Sequence, residues 1–251
     1  MDKVLITGGT SGIGYELAKI MAKRGHEIVL VSRNLKKLNQ VKAELSEMTD
    51  KPVTVLAADL SRPGSAKDIY EKLKDQGIQI LVNNAGVGLK GDFFKDNYQK
   101  NRDMAQLNMI SLMDLTHYFG RDFVKQKRGR ILNIASIVSF FPGPNQPVYY
   151  ASKAFVRSLT RALAFNLKNT GVTVTALHPG VTRTNFFKSA NASFVKSGAS
   201  PKSVAELGYK AMMNGQIEVT HGIWNKILTN ILVRITPYRA QPIILDKYTK
   251  V

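Results

Sequence analysis

Short apolar segments alternate with segments of helical periodicity along most of this chain. Six apolar segments predict strands, at residues 4–6, 27–32, 53–57, 78–82, 130–135 and 172–177. Helical spacing between them predicts helices near residues 13–23, 35–48, 65–75, 97–127 and 148–169. Strands that are apolar throughout are typical of a parallel sheet that helices cover on both faces. Because right-handed crossovers leave few topologies, we predict an α/β fold with a doubly wound parallel sheet.

The whole chain, residues 1–251, is predicted to form a single domain, because no linker rich in Pro, Gly or Ser divides it. No apolar run approaches 18 residues and the first one is short, so we predict neither a membrane span nor a signal peptide. The absence of cysteines excludes thiolate catalysis and Cys-type zinc sites. It also fits a reducing compartment, so we expect a cytoplasmic protein.

Positive charge is concentrated in the later part of the chain. The formal net charge is +18; residues 1–100 hold 16 basic against 12 acidic residues, and residues 101–251 hold 20 against 6. Such an excess favours anionic ligands, anionic membranes or nucleic acid. No basic cluster with interleaved aromatic residues is visible, so nucleic-acid binding is not predicted. The favoured interpretation is a solvated basic surface.

A glycine-rich segment, T7-G-G-T-S-G-I-G14, follows the first predicted strand and opens the first predicted helix. Glycines at such a turn let a ligand approach the backbone, and the free N–H groups of the helix start bind an anion such as a pyrophosphate. The spacing differs from the common G-x-G-x-x-G pattern, so the prediction depends on the position between strand and helix. We expect a Rossmann fold with a dinucleotide bound by Gly8, Thr10, Ser11, Gly12, Ile13 and Gly14.

The end of the second predicted strand indicates which nicotinamide dinucleotide binds. A carboxylate at this place would hold the ribose 2′-hydroxyl, whereas an arginine accommodates a 2′-phosphate. The sequence is Ser32-Arg33-Asn34, without an acidic residue. Because a guanidinium forms paired hydrogen bonds with phosphate oxygens, we predict NADP(H) rather than NAD(H). The alternative is that Arg33 is a solvent-facing residue at a helix start.

Six elements of the sequence together resemble the short-chain dehydrogenase/reductase family. They stand at the predicted strand ends in this order: the glycine-rich segment 7–14, Asp59, N83-N-A-G86, Ser136, Y149-Y-A-S-K153 and P179-G180. The resemblance covers about residues 3–190. It implies an NADP(H)-dependent oxidoreductase that transfers hydride between the nicotinamide and a small-molecule carbonyl or alcohol substrate.

The resemblance also implies four catalytic residues. Tyr149 and Lys153 match the family's Y-x-x-x-K motif, and their spacing of four places both on one helix face. The ammonium and a cationic nicotinamide are both expected to bring the pKa of the phenol toward neutral pH, which suits a general acid and base. Ser136 is expected to hold the substrate oxygen, with Ser139 as the rival candidate. Asn108 is expected to hold a water that links Lys153 to solvent.

Further cofactor contacts follow from the resemblance. Asp59 and Leu60 are expected beside the adenine, and Lys153, next to Tyr149, beside the nicotinamide ribose. The contacts expected along the adenine ribose and the carboxamide are Asn83, Ala85, Gly86, Pro179, Gly180, Val181 and Thr182. His178, which precedes the last of these turns, is interpreted as a strand-end residue rather than a base. No metal is expected, because the phenol, the serine hydroxyl and the nicotinamide supply the electrostatic stabilisation.

Substrate choice is expected to depend on a lid loop at residues 185–200. Aromatic residues in and near this loop suggest an apolar pocket, although ordinary packing explains them equally well. They are Phe140, Phe141, Phe186, Phe187 and Phe194.

Residues 222–251 form a basic extension with a predicted amphipathic helix, which Pro237 ends. Its apolar stripe consists of Ile227, Leu228, Ile231, Leu232 and Ile235. The stripe could lie on an anionic membrane, cover the substrate pocket, or form a contact in a homo-oligomer, a dimer or tetramer. Two further functions therefore stay open: a peripheral membrane reductase of lipid-like carbonyls, and a non-catalytic nucleotide-binding regulator, whose expected mark would be loss of Tyr149 or Lys153.

Overall fold

The computed structural model describes residues 2–95, 97–184, 186 and 198–243. Among these residues, seven parallel strands form one sheet in the order β3-β2-β1-β4-β5-β6-β7. The strands are β1 Lys3–Thr7, β2 Glu27–Ser32, β3 Val53–Ala57, β4 Ile78–Asn83, β5 Gly129–Ile134, β6 Val172–His178 and β7 Glu218–Thr220. The predicted doubly wound parallel sheet and the single domain built on it are confirmed. Strand β7 has only three residues, and the sequence pattern did not predict it.

Helices cover both faces of the sheet. They are α1 Gly12–Lys23, α2 Leu35–Ser46, α3 Ser65–Leu73, α4 Tyr98–Ala105, α5 Ser111–Lys125, α6 Pro147–Asn166, α7 Pro201–Met213, α8 Ile223–Ile227 and α9 Val233–Ile235. A π turn over Gln106–Ile110 joins α4 to α5, and another over Leu228–Leu232 joins α8 to α9. A single helix was predicted over 97–127, so the π turn is a feature that periodicity did not reveal.

Successive residues of the central strand face opposite helical layers. In β1, Val4 and Ile6 pack in the cluster that contains α1 and α7, whereas Leu5 packs with α3 and α5. All three side chains are fully buried. Burial of each aliphatic side chain of this size contributes about 1.5–3 kcal/mol. This double burial is the reason that the strands are apolar throughout instead of alternating with polar residues.

The direction of winding reverses at β1, which lies between β2 and β4. The chain builds the sheet from β1 to β3 on one side and then crosses to β4 on the other. Because all strands are parallel, their carboxyl ends share one edge of the sheet, and the reversal opens a crevice there. The residues at this edge include Thr7, Ser32, Asn83 and His178.

An acidic residue at the start of β7 connects this short edge strand to helix α6. The Glu218 carboxylate lies 3.2 Å from Arg157 Nε and 3.8 Å from Arg161 Nη1. His178 Nε2, on β6, lies 3.5 Å from it, at the limit of hydrogen bonding. Hydrogen bonding by His178 and Arg157 lowers the pKa of Glu218 to about 2, although partial burial opposes the shift. Arg157 lies closer to the Glu218 carboxylate than His178 does, so it makes the stronger hydrogen bond.

Because the pKa of Glu218 is lowered in the folded protein, the free energy of unfolding is expected to depend on pH. The pKa of a glutamate in an unfolded chain is about 4.3. The stabilisation by the Glu218 carboxylate is therefore complete above that pH and is lost as the pH falls toward 2. We expect Glu218→Gln to reduce the free energy of unfolding by about 1 kcal/mol at pH 7, and by roughly half as much near pH 3. Urea unfolding at both pH values measures this difference.

The matched control is Glu206→Gln on α7, since that exposed carboxylate lies 4.0 Å from Lys202. It should leave the unfolding free energy nearly unchanged. An equal loss at both pH values for the Glu218 variant would contradict the assignment to its charged form.

Candidate active site

A cleft of about 590 Å³ lies at the carboxyl edge of the sheet. Its lining contains seventeen of the residues predicted from the sequence: Gly8, Thr10, Ser11, Gly12, Ile13, Arg33, Asp59, Leu60, Ala85, Gly86, Ser136, Tyr149, Lys153, Pro179, Gly180, Val181 and Thr182. Gly14, Asn83 and Asn108 lie outside this lining. A larger hollow of about 940 Å³ lies between α1 and α7, and its lining does not include the motif residues. We therefore take the edge cleft as the candidate site.

The glycines of the first loop are required for two different reasons. Gly8 and Gly12 have φ angles of +67° and +58°, in the left-handed region that disfavours other residues. Gly14 has no such angle, but a Cβ atom there would lie 2.3 Å from Asn84 Nδ2. Gly14 therefore lets α1 pack closely against the end of β4, instead of lining the cleft. The predicted backbone turn is present, with α1 beginning at Gly12.

A pair of polar side chains ties the glycine loop to the end of β4. Asn84 Nδ2 donates to the carbonyl oxygens of Thr7 and Gly8, both at 3.0 Å. In return, Thr7 Oγ1 accepts from the N–H groups of Asn84 and Ala85, both at 3.1 Å. These bonds fix the two loops that form the middle of the cleft. Sequence reasoning missed Asn84, although it stands in the quoted N83-N-A-G86 motif.

Asn83 occupies the interior instead of the cleft. Its Nδ2 donates to Thr116 Oγ1 at 3.0 Å and to Asn133 Oδ1 at 2.9 Å. Asn133 Nδ2 in turn donates to Thr160 Oγ1 at 2.9 Å. This buried chain of polar groups connects β4 and β5 to α5 and α6. These bonds hold the Asn83 side chain in the interior, so the predicted position of Asn83 along a cofactor ribose stays a prediction that only its backbone could fulfil.

The end of the cleft next to β2 combines basic groups with one carboxylate. Arg33 and Lys37 both line it, and Asn34 caps α2 by accepting from the Lys37 N–H at 3.0 Å. Asp59 accepts from the Ser61 N–H at 3.0 Å and from the Ser61 hydroxyl at 2.7 Å. Burial would raise the pKa of Asp59, but these bonds and the nearby Arg33 lower it overall. This end of the cleft is suited to an anion held by Arg33 and Lys37.

Tyr149 and Lys153 stand on successive turns of α6, which begins at Pro147. Both line the cleft, and Lys153 Nζ lies 5.9 Å from the centroid of the Tyr149 ring. The ammonium donates to the Ile134 carbonyl oxygen at 2.9 Å. Burial lowers the pKa of Lys153 to about 8. The predicted pairing on one helix face is therefore found.

The protein's own groups do not lower the pKa of the Tyr149 phenol. Burial raises the pKa of Tyr149, and a hydrogen bond with Ser136 opposes that rise without reversing it. Among the protein's own groups, desolvation of the phenolate dominates. The phenol consequently keeps its proton at neutral pH, which is the form that a general acid needs. The lowering expected from Lys153 together with a cationic nicotinamide stays a prediction.

The two candidate serines after β5 have different surroundings. Ser136 Oγ lines the cleft and accepts from the Val138 N–H at 3.3 Å. Ser139 Oγ donates to the Ser136 carbonyl oxygen at 2.5 Å and lies 3.1 Å from His178 Nδ1. The Ser139 side chain therefore stabilises the turn after β5. The geometry favours Ser136 as the residue that contacts a substrate.

His178 is fully buried at the end of β6 and holds this turn in place. Its Nδ1 lies 3.2 Å from the Ser136 carbonyl oxygen, and its Nε2 faces Glu218 at 3.5 Å. The histidine thus connects the backbone of the catalytic serine candidate to β7. This agrees with its interpretation as a strand-end residue rather than a base.

Asn108 lies in the π turn, directly behind the cleft wall. Its Oδ1 accepts from the Val87 N–H at 3.0 Å, and its Nδ2 donates to the Val87 carbonyl oxygen and to Ser152 Oγ, at 2.9 and 3.1 Å. A Cβ atom on Gly86 would lie 3.2 Å from Asn108 Oδ1 and 3.5 Å from Lys153 Nζ. The π turn therefore brings Asn108 close to Lys153, as such turns often do at functional sites.

The predicted aromatic residues divide between packing and the cleft. Phe140 packs on His178, with a ring distance of 4.9 Å, and Phe141 packs on Tyr150 at 6.0 Å. Phe186 lines the cleft, with its ring 5.5 Å from that of Tyr149. Phe187, Phe194 and most of the predicted lid loop 185–200 lie outside the described residues.

Comparisons with known proteins agree with this geometry. The family model described as short chain dehydrogenase matches residues 2–193. Very-long-chain 3-oxoacyl-CoA reductase of Anas platyrhynchos is 32% identical over 222 residues, which cover 84% of this chain and 70% of the relative. The 17-beta-hydroxysteroid dehydrogenase type 3 of Homo sapiens is 32% identical over 207 residues, with coverages of 82% and 67%.

A solved structure gives the same result. The short-chain dehydrogenase from Sphingobium yanoikuyae in complex with NADPH is similar with a TM-score of 0.87 and 30% sequence identity, over 92% of each chain. Together with the matched residues and the cleft at the carboxyl edge of the sheet, these similarities assign the family. The chain belongs to the short-chain dehydrogenase family.

Proposed function

We propose that this protein is an NADP(H)-dependent oxidoreductase that interconverts a carbonyl compound and an alcohol. The observation that carries the proposal is the meeting of Tyr149, Ser136 and Lys153 in one cleft with the glycine loop. The similar proteins support it, because they include a structure in complex with NADPH and relatives named as a 3-oxoacyl-CoA reductase and a hydroxysteroid dehydrogenase.

The residues present in the cleft fit a dinucleotide. The glycine loop packs closely on the loop after β4, since a Cβ atom on Gly8 would lie 2.9 Å from Ala85 Cα, and both loops line the cleft. The first turn of α1 would supply N–H groups to the pyrophosphate of the dinucleotide. Asp59 and Leu60 would border the adenine, while Pro179 and Gly180 would border the nicotinamide.

Arg33 and Lys37 support the choice of NADP(H) over NAD(H). Both basic side chains line the end of the cleft that follows β2, where a 2′-phosphate would lie. The ionised Asp59 on the other side of this end is held by Ser61, so its lone pairs are partly occupied. A phosphate with about two negative charges would therefore be attracted by two cations and bound in a planar fork by Arg33.

The protein's own groups would supply the acid–base chemistry. Bound NADPH would supply the hydride for reduction of the carbonyl carbon. The Tyr149 phenol would donate its proton to the carbonyl oxygen, and Ser136 would donate a hydrogen bond that orients this oxygen. Lys153, adjacent to Tyr149, would return a proton to it. Asn108 would hold a water that connects Lys153 to solvent, through the lone pair that its bonds to Val87 and Ser152 leave free.

A non-catalytic regulator is the weaker alternative. Its expected mark is loss of Tyr149 or Lys153, yet both are present in the sequence and both line the cleft. The oxidoreductase is therefore the function that we propose.

Tyr149→Phe tests the assignment of the acid. Loss of the phenol should lower kcat/KM for carbonyl reduction by roughly 10²–10⁴-fold, because proton transfer to the oxygen loses its donor. NADPH absorbance measured against a panel of aldehydes and ketones gives this ratio. The control is Tyr118→Phe, since the Tyr118 ring stacks on Tyr70 and does not belong to the described lining of the cleft. Near-complete activity in the Tyr149 variant would show that another group is the acid.

Arg33→Ala tests the choice of cofactor. The KM for NADPH should rise by roughly tenfold or more through the loss of a charge-assisted contact, whereas the KM for NADH should change little. Lys36→Ala is the matched control, because Lys36 is an exposed neighbour that does not belong to the described lining of the cleft. Equal losses with both cofactors in the Arg33 variant would refute the phosphate contact.

A further inference from the structure

The helical segment that follows β7 presents its apolar side chains to the outside. We call these residues the C-terminal apolar face: Ile223, Trp224, Ile231, Leu232 and Ile235. Trp224 is 79% exposed and Ile235 is 71% exposed. A surface helix of a globular protein normally turns such residues toward the core. This one does the opposite, so the face requires a partner or an apolar medium.

The side of the segment that faces the protein is mixed, with the buried Thr229 beside the partly buried Ile227, Leu228 and Val233. Thr229 is only 1% exposed, and its hydroxyl donates to the Asn225 carbonyl oxygen at 2.9 Å. Asn225 Nδ2 donates to the His221 carbonyl oxygen at 2.8 Å. Both hydrogen bonds join residues four apart in the sequence, so these polar groups are satisfied locally. The outward position of the apolar residues follows from packing: rotation of the segment about its axis would expose the buried Thr229 and remove Asn225 from its contact with Gly180.

Basic residues accompany the apolar face without acidic ones. Lys226, Arg234 and Arg239 are exposed, and the sequence from Val219 to Ile243 contains no Asp or Glu. An exposed apolar strip with a tryptophan and flanking cations is the combination that binds the interface of a bilayer with anionic lipids.

The helical segment is too short to cross a bilayer. Ile223–Ile235 is 13 residues long, about 20 Å as a helix, which is shorter than the apolar core of a bilayer. Among the described residues, no helix has the length and apolar character needed to cross a membrane. The segment would therefore lie in the plane of the interface.

The segment also borders the candidate active site. A Cβ atom on Gly180, which lines the cleft, would lie 2.3 Å from Asn225 Nδ2. The helix that carries the apolar face is thus in contact with the wall of the cleft. An apolar molecule that leaves the bilayer surface beside this helix would therefore lie close to the opening of the cleft.

We propose that the C-terminal apolar face binds the surface of a bilayer that contains anionic lipids. Given the proposed function, the substrate would then be a carbonyl compound with a long apolar chain, taken from that surface. A symmetric contact between two copies fits the face less well. In such a contact the same patch of each copy meets the other, so Lys226, Arg234 and Arg239 would face a patch that carries the same cations and no acidic residue of the segment.

The tryptophan provides a direct test, because Trp224 is the sole tryptophan of the chain. The chain of residues 1–251 is mixed with phosphatidylcholine vesicles, with or without phosphatidylglycerol, at physiological ionic strength. We expect a blue shift of the emission and quenching by lipids with brominated acyl chains. Co-sedimentation with the anionic vesicles should exceed that with the neutral vesicles by roughly tenfold.

Two double variants separate the contributions. Ile231→Ser with Ile235→Ser should reduce vesicle partitioning by roughly tenfold or more, while Lys226→Gln with Arg234→Gln should abolish the preference for anionic vesicles. Phe165→Ser is the control, because this exposed aromatic residue stands on α6. The control should bind vesicles as the unchanged protein does.

Unchanged Trp224 emission in the presence of anionic vesicles would overturn the proposal. So would a lipid-independent blue shift that grows with protein concentration and disappears in the Ile231 and Ile235 variant, since it would assign the face to a subunit contact. Oxidation of NADPH with a panel of carbonyl compounds, from small soluble aldehydes to long-chain ketones, is measured in parallel. Turnover without vesicle binding overturns this inference alone, and vesicle binding without turnover overturns the proposed function alone.

Discussion

Parallel pairing of β1 with both β2 and β4 is the constraint on which the rest of the molecule depends. It brings the carboxyl ends of neighbouring strands to one edge of the sheet and opens the crevice where the winding reverses. The hydrogen bonds between Thr7 and Asn84 fix the two loops at this point. The glycine loop, the serine after β5 and the tyrosine of α6 meet only because these strands end together.

Burial then sets the chemistry of the cleft. It raises the pKa of Tyr149 and lowers that of Lys153, so the two shifts have a common cause. The tyrosine remains a proton donor at neutral pH, and the lysine has a proton that is easier to lose than that of an exposed lysine. A protonated phenol next to a lysine with a pKa of about 8 is a suitable pair for passing a proton to a substrate oxygen.

The sequence predicted what depends on local pattern. The apolar strands predicted the parallel sheet, and the spacing of four in α6 predicted that Tyr149 and Lys153 lie together. Other features depend on neighbours that are distant in sequence. Asn83 and Asn84 are adjacent, yet their side chains take opposite directions at the end of β4, one into the interior and one to the glycine loop. The phenol pKa, too, depends on how densely the surrounding protein packs, which no motif contains.

The most direct measurement is a crystal structure of the protein with NADPH and an unreactive carbonyl analogue. We predict that the dinucleotide crosses the glycine loop, that its 2′-phosphate contacts Arg33, and that Tyr149 Oη and Ser136 Oγ both lie within hydrogen-bonding distance of the analogue's oxygen. A dinucleotide bound elsewhere, or a Tyr149 hydroxyl directed away from that oxygen, would contradict the account.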